Sequence, residues 1–144
     1  MTLYVRHLAW LNTAPKPDER SQRAQTQADA PRVSRAARMK RDGLPIRMPP
    51  NPMPHVVERL MEIGLTEPAG MGIGPISWRS IADWQQATGI ELSRWEVRLL
   101  RQLSVEYVAE QHRAESETCP PPWRAEVTQR EREIGEQQLR MVLG

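Results

Sequence analysis

Phenylalanine is missing from the 144 residues and tyrosine occurs only twice, so five tryptophans must supply most of the aromatic volume of any core. There is one cysteine, Cys119, and a lone thiol cannot close a disulfide within its own chain. The three histidines, His7, His55 and His112, fall in different segments, and none lies near Cys119 at a spacing that zinc sites use, so no metal is expected. Long apolar runs are absent too. The opening MTLYVRHLAWLNTAP is too short and too polar in its apolar part for a secretory signal, and nothing approaches a membrane span, which gives a cytosolic, non-membrane protein. Net charge is only +2, so no global field draws the chain onto DNA. A nucleophile needs a base and an orienting group, and no catalytic signature joins them here. The sequence therefore points to a non-enzymatic protein without cofactor.

What is abundant is proline, 13 residues, and its placement divides the chain. Residues 1–14 read as a short helix, with Tyr4, Leu8 and Leu11 at the i, i+4, i+7 spacing of one face and Trp10 beside it. Residues 15–53 turn to Arg, Gln, Ala, Ser and Pro and read as a linker, disordered or transiently helical. Between Arg20 and Arg47 stand eight basic residues (Arg20, Arg23, Arg32, Arg35, Arg38, Lys40, Arg41, Arg47) against Asp29 and Asp42. Such an arm can neutralise phosphates, but it lacks the aromatics that stack on bases. A plain linker or protein-docking arm is the preferred reading, and nucleic acid is not an expected partner.

The ordered part begins at Pro54, a proline suited to a first helical turn. Val56, Val57, Leu60, Met61 and Ile63 share one side of a helix, opposite Glu58, Arg59 and Glu62, until Gly64 ends it. Then comes EPAGMGIGPISW, Glu67 to Trp78, whose glycines raise the question of a phosphate loop. A Walker-type loop requires Gly-Lys-Ser/Thr, yet Gly74 precedes Pro75 and Ile76. A dinucleotide fingerprint requires a preceding buried strand and a different glycine offset. Gly70, Gly72 and Gly74 therefore read as a tight change of direction, and a Gly72→Val substitution is expected to mispack the module.

Ser77 caps a second helix to about Thr88, with Trp78, Ile81 and Trp84 within an arc of about 120° and Gly89 closing it. Ser93 and Glu96 form the S-x-x-E capping box of a third helix. On that helix Trp95, Leu99, Leu100, Leu103 and Tyr107 span about 140°, while Arg94, Arg98 and Arg101 form a row on the other side. Three guanidiniums on one face either grip an acidic partner or keep a small domain soluble, and the second is preferred. Trp78, Trp84 and Trp95 read as core rather than as a partner-binding hot spot. CPPPW then breaks regular structure, with Trp123 folding back onto the bundle. Residues 124–144 place Val127, Ile134, Met141 and Val142 on a narrow stripe, a helix that needs a partner for stability. The expected fold is all-α: a three-helix module over about 54–113 inside a segment 54–123, with a disordered basic N-terminal linker and a conditional C-terminal helix.

Taken in order, EIG, GMGIGPI, WQQATGIELSRWEVRLLRQLSVEY and CPPPW resemble the small tail assembly chaperones of long-tailed phages and prophages, over roughly Pro54 to Trp123. Matching positions are Gly70, Gly72, Gly74, Trp84, Gly89, Ile90, Trp95, Glu96, Arg101, Leu103, Tyr107 and Trp123, and the resemblance gives them structural roles only. Ser93 joins them as the cap. The resemblance implies a protein of the host bacterial cytoplasm that binds the tape-measure protein and helps recruit tail-tube protein subunits. Some such proteins are made as frameshift-linked pairs, and this chain resembles the downstream half, which adds an upstream tail chaperone as a partner. Candidate partner-binding residues are Arg94, Arg98, Arg101, Trp123, Met141 and Val142. The competing readings are a minor tail or head-tail component retained in the virion and a nucleic-acid-binding adaptor.

Overall fold

The computed structural model describes residues 1–18, 20 and 31–144. Arg23 and Asp29 of the basic stretch lie outside the described residues. The described elements run α1 (Thr2–Asn12), α2 (Arg35–Arg41), α3 (Pro54–Ile63), β1 (Glu67–Ala69), β2 (Gly72–Gly74), α4 (Trp78–Thr88), α5 (Arg94–Ala114) and α6 (Gln129–Leu143). The fold is thus mainly helical, as expected, but it has a hairpin and more than three helices.

Helix α5 is the axis of the structure. Its start is set by the Ser93–Glu96 box, in which the Ser93 hydroxyl accepts the Glu96 amide and the Glu96 carboxylate accepts the Ser93 amide. Leu100, Leu103 and Tyr107 bury one side of it, against Val56, Val57 and Leu60 of α3, Ile81 of α4, Ile76, and Val5 and Ala9 of α1. The N-terminal helix is therefore part of the core and not an appendage. At about 100° per residue, Val5 and Ala9 lie about 40° apart while His7 and Leu11 fall on the opposite side. All four are buried because α1 is covered on two sides, which its weakly sided sequence does not announce. Tyr4 and Leu8, expected to lead its apolar face, are only half-buried against the core.

Part of the segment expected to be a disordered linker is helical, and it supplies a clamp. Ser34 caps α2, and Arg35, counted above as one charge of a basic arm, is buried. Its guanidinium lies 4.7 Å from the Trp10 ring centroid and donates to the carbonyls of Trp10 (3.2 Å) and Ser116 (2.8 Å). Arginine serves here because its fork satisfies two carbonyls at once while its charge lies over an indole. Trp10 donates to the Cys119 carbonyl (2.9 Å), and His7 lies stacked on Trp10 and edge-on to Trp123. Trp123 folds back, as expected, but against His7 of α1, a helix outside the three-helix module on which it was expected. On the same helix pair, Glu110 is buried and takes ion pairs from Arg6 and Arg113.

The glycine stretch is a two-stranded antiparallel hairpin, with Glu67 opposite Gly74 and Ala69 opposite Gly72. Gly70 has φ +59 and Met71 does not have positive φ, the glycine-first pattern of a type II′ hairpin turn. Gly74 is a close approach, since an added Cβ would lie 2.9 Å from the Ala69 Cβ. Gly72 is neither: an added Cβ meets nothing within 4 Å, which overturns the expectation that Gly72→Val mispacks the module. Ser104 of α5 holds the hairpin by both ends, accepting the Ile76 amide (2.9 Å) and donating to the Leu65 carbonyl (2.8 Å).

Candidate interaction surface

Helices α4 and α5 meet at a loop closed by Gly89, which takes the left-handed conformation at φ 70 and ends α4. Gln85 of α4 accepts the Leu92 amide (2.8 Å) and fastens that loop in place. Ser77 caps α4 and, with Ser80, donates to Glu67 of β1. The Ser80 hydroxyl first, and then the Ser77 backbone amide, hold the Glu67 carboxyl below the usual range. Helix α4, the loop and the hairpin thus form one braced unit.

Two of the tryptophans assigned to the core are surface residues. Trp78 and Trp95 are each 55% exposed, and Trp84 is half-buried. On α4 only Ile81, at the middle of the predicted stripe, reaches the core, and the tryptophans flank it by about 60° on either side. On α5 the buried residues Leu103, Tyr107 and Ala114 centre about 100° around the helix from Trp95, which is left at the edge of the face.

The displaced Trp78 becomes one wall of an open groove of about 270 Å³, lined also by Gln85, Leu92, Arg94, Val97 and Arg98. Arg94 and Arg98 of the arginine row thus share a concave, partly apolar surface. Arg101 is not part of the lining; its guanidinium lies over Trp78, 5.8 Å from the ring centroid, with Nε buried and unpartnered. Glu96 does not neutralise the row. The Ser93 amide is the main cause of its lowered pKa, and Arg59 of α3 takes its other oxygen.

The remaining candidates lie elsewhere. Trp123 is engaged with His7 on α1. Met141 and Val142 are 82% and 83% exposed at the end of α6, a helix that buries no residue. An ion pair from Arg47 to Glu131 (2.6 Å) reaches that helix. Its start is a second capping box, Thr128 with Glu131, a T-x-x-E spacing that is local enough to be readable from the sequence. Ser104, Arg35 and Glu110 also carry structure that sequence reasoning missed. Ser104 sits within the LSVEY motif, but its tether joins residues 28 and 39 positions apart. Among the described residues no group of three His, Cys, Asp or Glu is placed to hold a metal, and no helix is long and apolar enough to cross a membrane.

Residues 49–109 match the model of a family described as phage tail assembly chaperone, and this segment takes in α3, the hairpin, α4 and most of α5. The resemblance read from the motif order holds for that segment. Helix α1, which completes the core, lies outside it. No curated protein and no solved structure matches the chain.

Proposed function

We propose that this chain, whose residues 49–109 carry a phage tail assembly chaperone module, binds the tape-measure protein of a growing tail and helps bring tail-tube subunits to it. It does so in the host bacterial cytoplasm and without catalysing a reaction, and an upstream tail chaperone is a further partner. The match over residues 49–109 carries this reading. The surface supports it physically. Trp78, Trp95, Met71, Ile73 and the apolar end of α6 are all exposed, and large apolar side chains left in water are characteristic of surfaces that meet other proteins. A helical client such as a tape measure suits grooves between helices.

The test is recovery of the tagged chain from phage-infected cells, with mass spectrometry of the mature particles alongside. Capture of the tape-measure protein together with absence from particles is the expected result. Fixed stoichiometry in every particle would instead make the chain a structural component, and steeply salt-dependent capture of nucleic acid would make it an adaptor.

A further inference from the structure

We propose that the groove between α4 and α5 is the docking site for an acidic amphipathic helix of a client protein. This rests on the assembly reading above and adds the surface used and the chemistry recognised. The lining holds two guanidiniums and no carboxylate. The side chains of Arg94 and Arg98 make no ion pair or hydrogen bond with a described residue. Glu96, in the same turn, is committed to the Ser93 cap and to Arg59, while Glu91, next to Leu92 in sequence, is exposed and is not part of the lining. The lining is positive because it holds two guanidiniums while Glu96, between them in sequence, is spent on holding the fold together.

Shape and spacing narrow the occupant further. Arg94 and Arg98 stand one turn apart, about 6 Å along the axis, which matches carboxylates at i and i+3 or i+4 on a partner helix. Each guanidinium fork can then take a carboxylate bidentately. Between them and Trp78, the Leu92 and Val97 side chains form an apolar floor packed on the core, in a volume that holds one or two large side chains. Gln85 holds the loop and Arg101 lies over the Trp78 ring, so the loop and the Trp78 wall are braced before a partner arrives and the ordering cost of docking falls on the two arginines. The chain's own α6 does not supply this complement: residues 129–144 contain three arginines and three glutamates and carry no negative surplus.

The test uses the full chain and a fluorescent helical peptide of about 20 residues, with leucine on one face and glutamate on both flanks. The same peptide with lysine for glutamate is the control. Anisotropy is read between about 50 and about 200 mM salt. The acidic peptide is expected to bind and the lysine peptide not to. The Arg94→Glu/Arg98→Glu variant and the Trp78→Ala variant should each weaken binding at least about tenfold, with unchanged thermal unfolding. If the charge reversal unfolds the chain, Arg94→Gln/Arg98→Gln serves in its place. Equal affinity for both peptides overturns the proposal, as does undiminished binding by a folded arginine variant. Loss of binding only when residues 129–144 are removed places the client on α6, and preference for a single-stranded oligonucleotide moves the site to polyanions; either result overturns it as well. An arginine variant that no longer binds the peptide but still recovers tail proteins from infected cells removes the groove and leaves the assembly reading intact. A wild-type chain that binds the acidic helix and recovers no tail protein does the reverse.

Discussion

Replacing Ser104 with alanine should cost far more than the loss of one hydroxyl from a helix suggests. Ser104 is fully buried, and its oxygen stands between the amide of Ile76 and the carbonyl of Leu65, at 2.9 and 2.8 Å. Alanine fits the space, so the change isolates hydrogen bonding from packing. Ile76 is 1% exposed, and its amide has no route to water once the acceptor is gone. A buried donor left unpaired costs about 1–3 kcal/mol, and the half-buried Leu65 carbonyl adds less. The sum is about 2–4 kcal/mol, a large share of the roughly 5–15 kcal/mol that stabilises a domain. Urea titration followed by tryptophan fluorescence measures it, and melting should fall by roughly 10 °C. Amide exchange at Ile76 should lose protection by more than the global destabilisation explains, because both hairpin ends detach together. A loss below about 0.5 kcal/mol with Ile76 still protected would refute the reasoning and show that the hairpin is held by its packing alone.

Glu110→Ala should destabilise by about 2–3 kcal/mol in denaturant titration, below the usual cost of breaking a fully buried pair, because Arg6 and Arg113 are 35% and 52% exposed and rehydrate. Burial lowers the His7 pKa, so the folded chain keeps a neutral imidazole while the unfolded chain takes up a proton near its ordinary value. Stability is then complete above about pH 7 and falls as pH drops through the ordinary histidine range toward the lowered folded value, a slope that His7→Phe should flatten in pH-dependent melts. The lowered carboxyls of Glu67, Glu96, Glu115 and Glu131 act in a separate, more acidic window, contributing above the ordinary glutamate range and losing that contribution below it. Gly70→Val and Gly74→Val should each cost about 1–2 kcal/mol, through positive φ at the first and the Ala69 contact at the second, while Gly72→Val stays within about 0.5 kcal/mol in thermal melts.

Local signals were legible and long-range ones were not. The Ser93–Glu96 box, the Ser77 cap and the glycine closures of α3 and α4 involve residues within a few positions of one another, and spacing alone reveals them. The helical face of α3 was readable because one strong apolar side met one core. Helix α1 was harder, since burial on two sides erases the contrast that periodicity needs. Hydrophobicity placed Trp78 and Trp95 inside, but angular position relative to the neighbouring helices put them at the edge of their faces. The arginine row was visible as a row; that Arg94 and Arg98 share a groove with Trp78 depends on how α4 crosses α5. Arg35 looked like a linker charge because its acceptors are carbonyls 25 and 81 positions away.

The seating of α1 on α5 also governs the order in which the chain can fold. Its bonds to the far end, Arg6 to Glu110, Trp10 to Cys119 and Asn12 to Tyr107, span 104, 109 and 95 positions. None can form until the ribosome has released most of the polypeptide, whereas α3, the hairpin, α4 and the first half of α5 need only one another. During synthesis α1 therefore waits with Val5 and Ala9 uncovered, and the core stays open along one side until α5 emerges. Closure of that side, over loops of about a hundred residues, is the late and entropically expensive step by which the N-terminus completes the core.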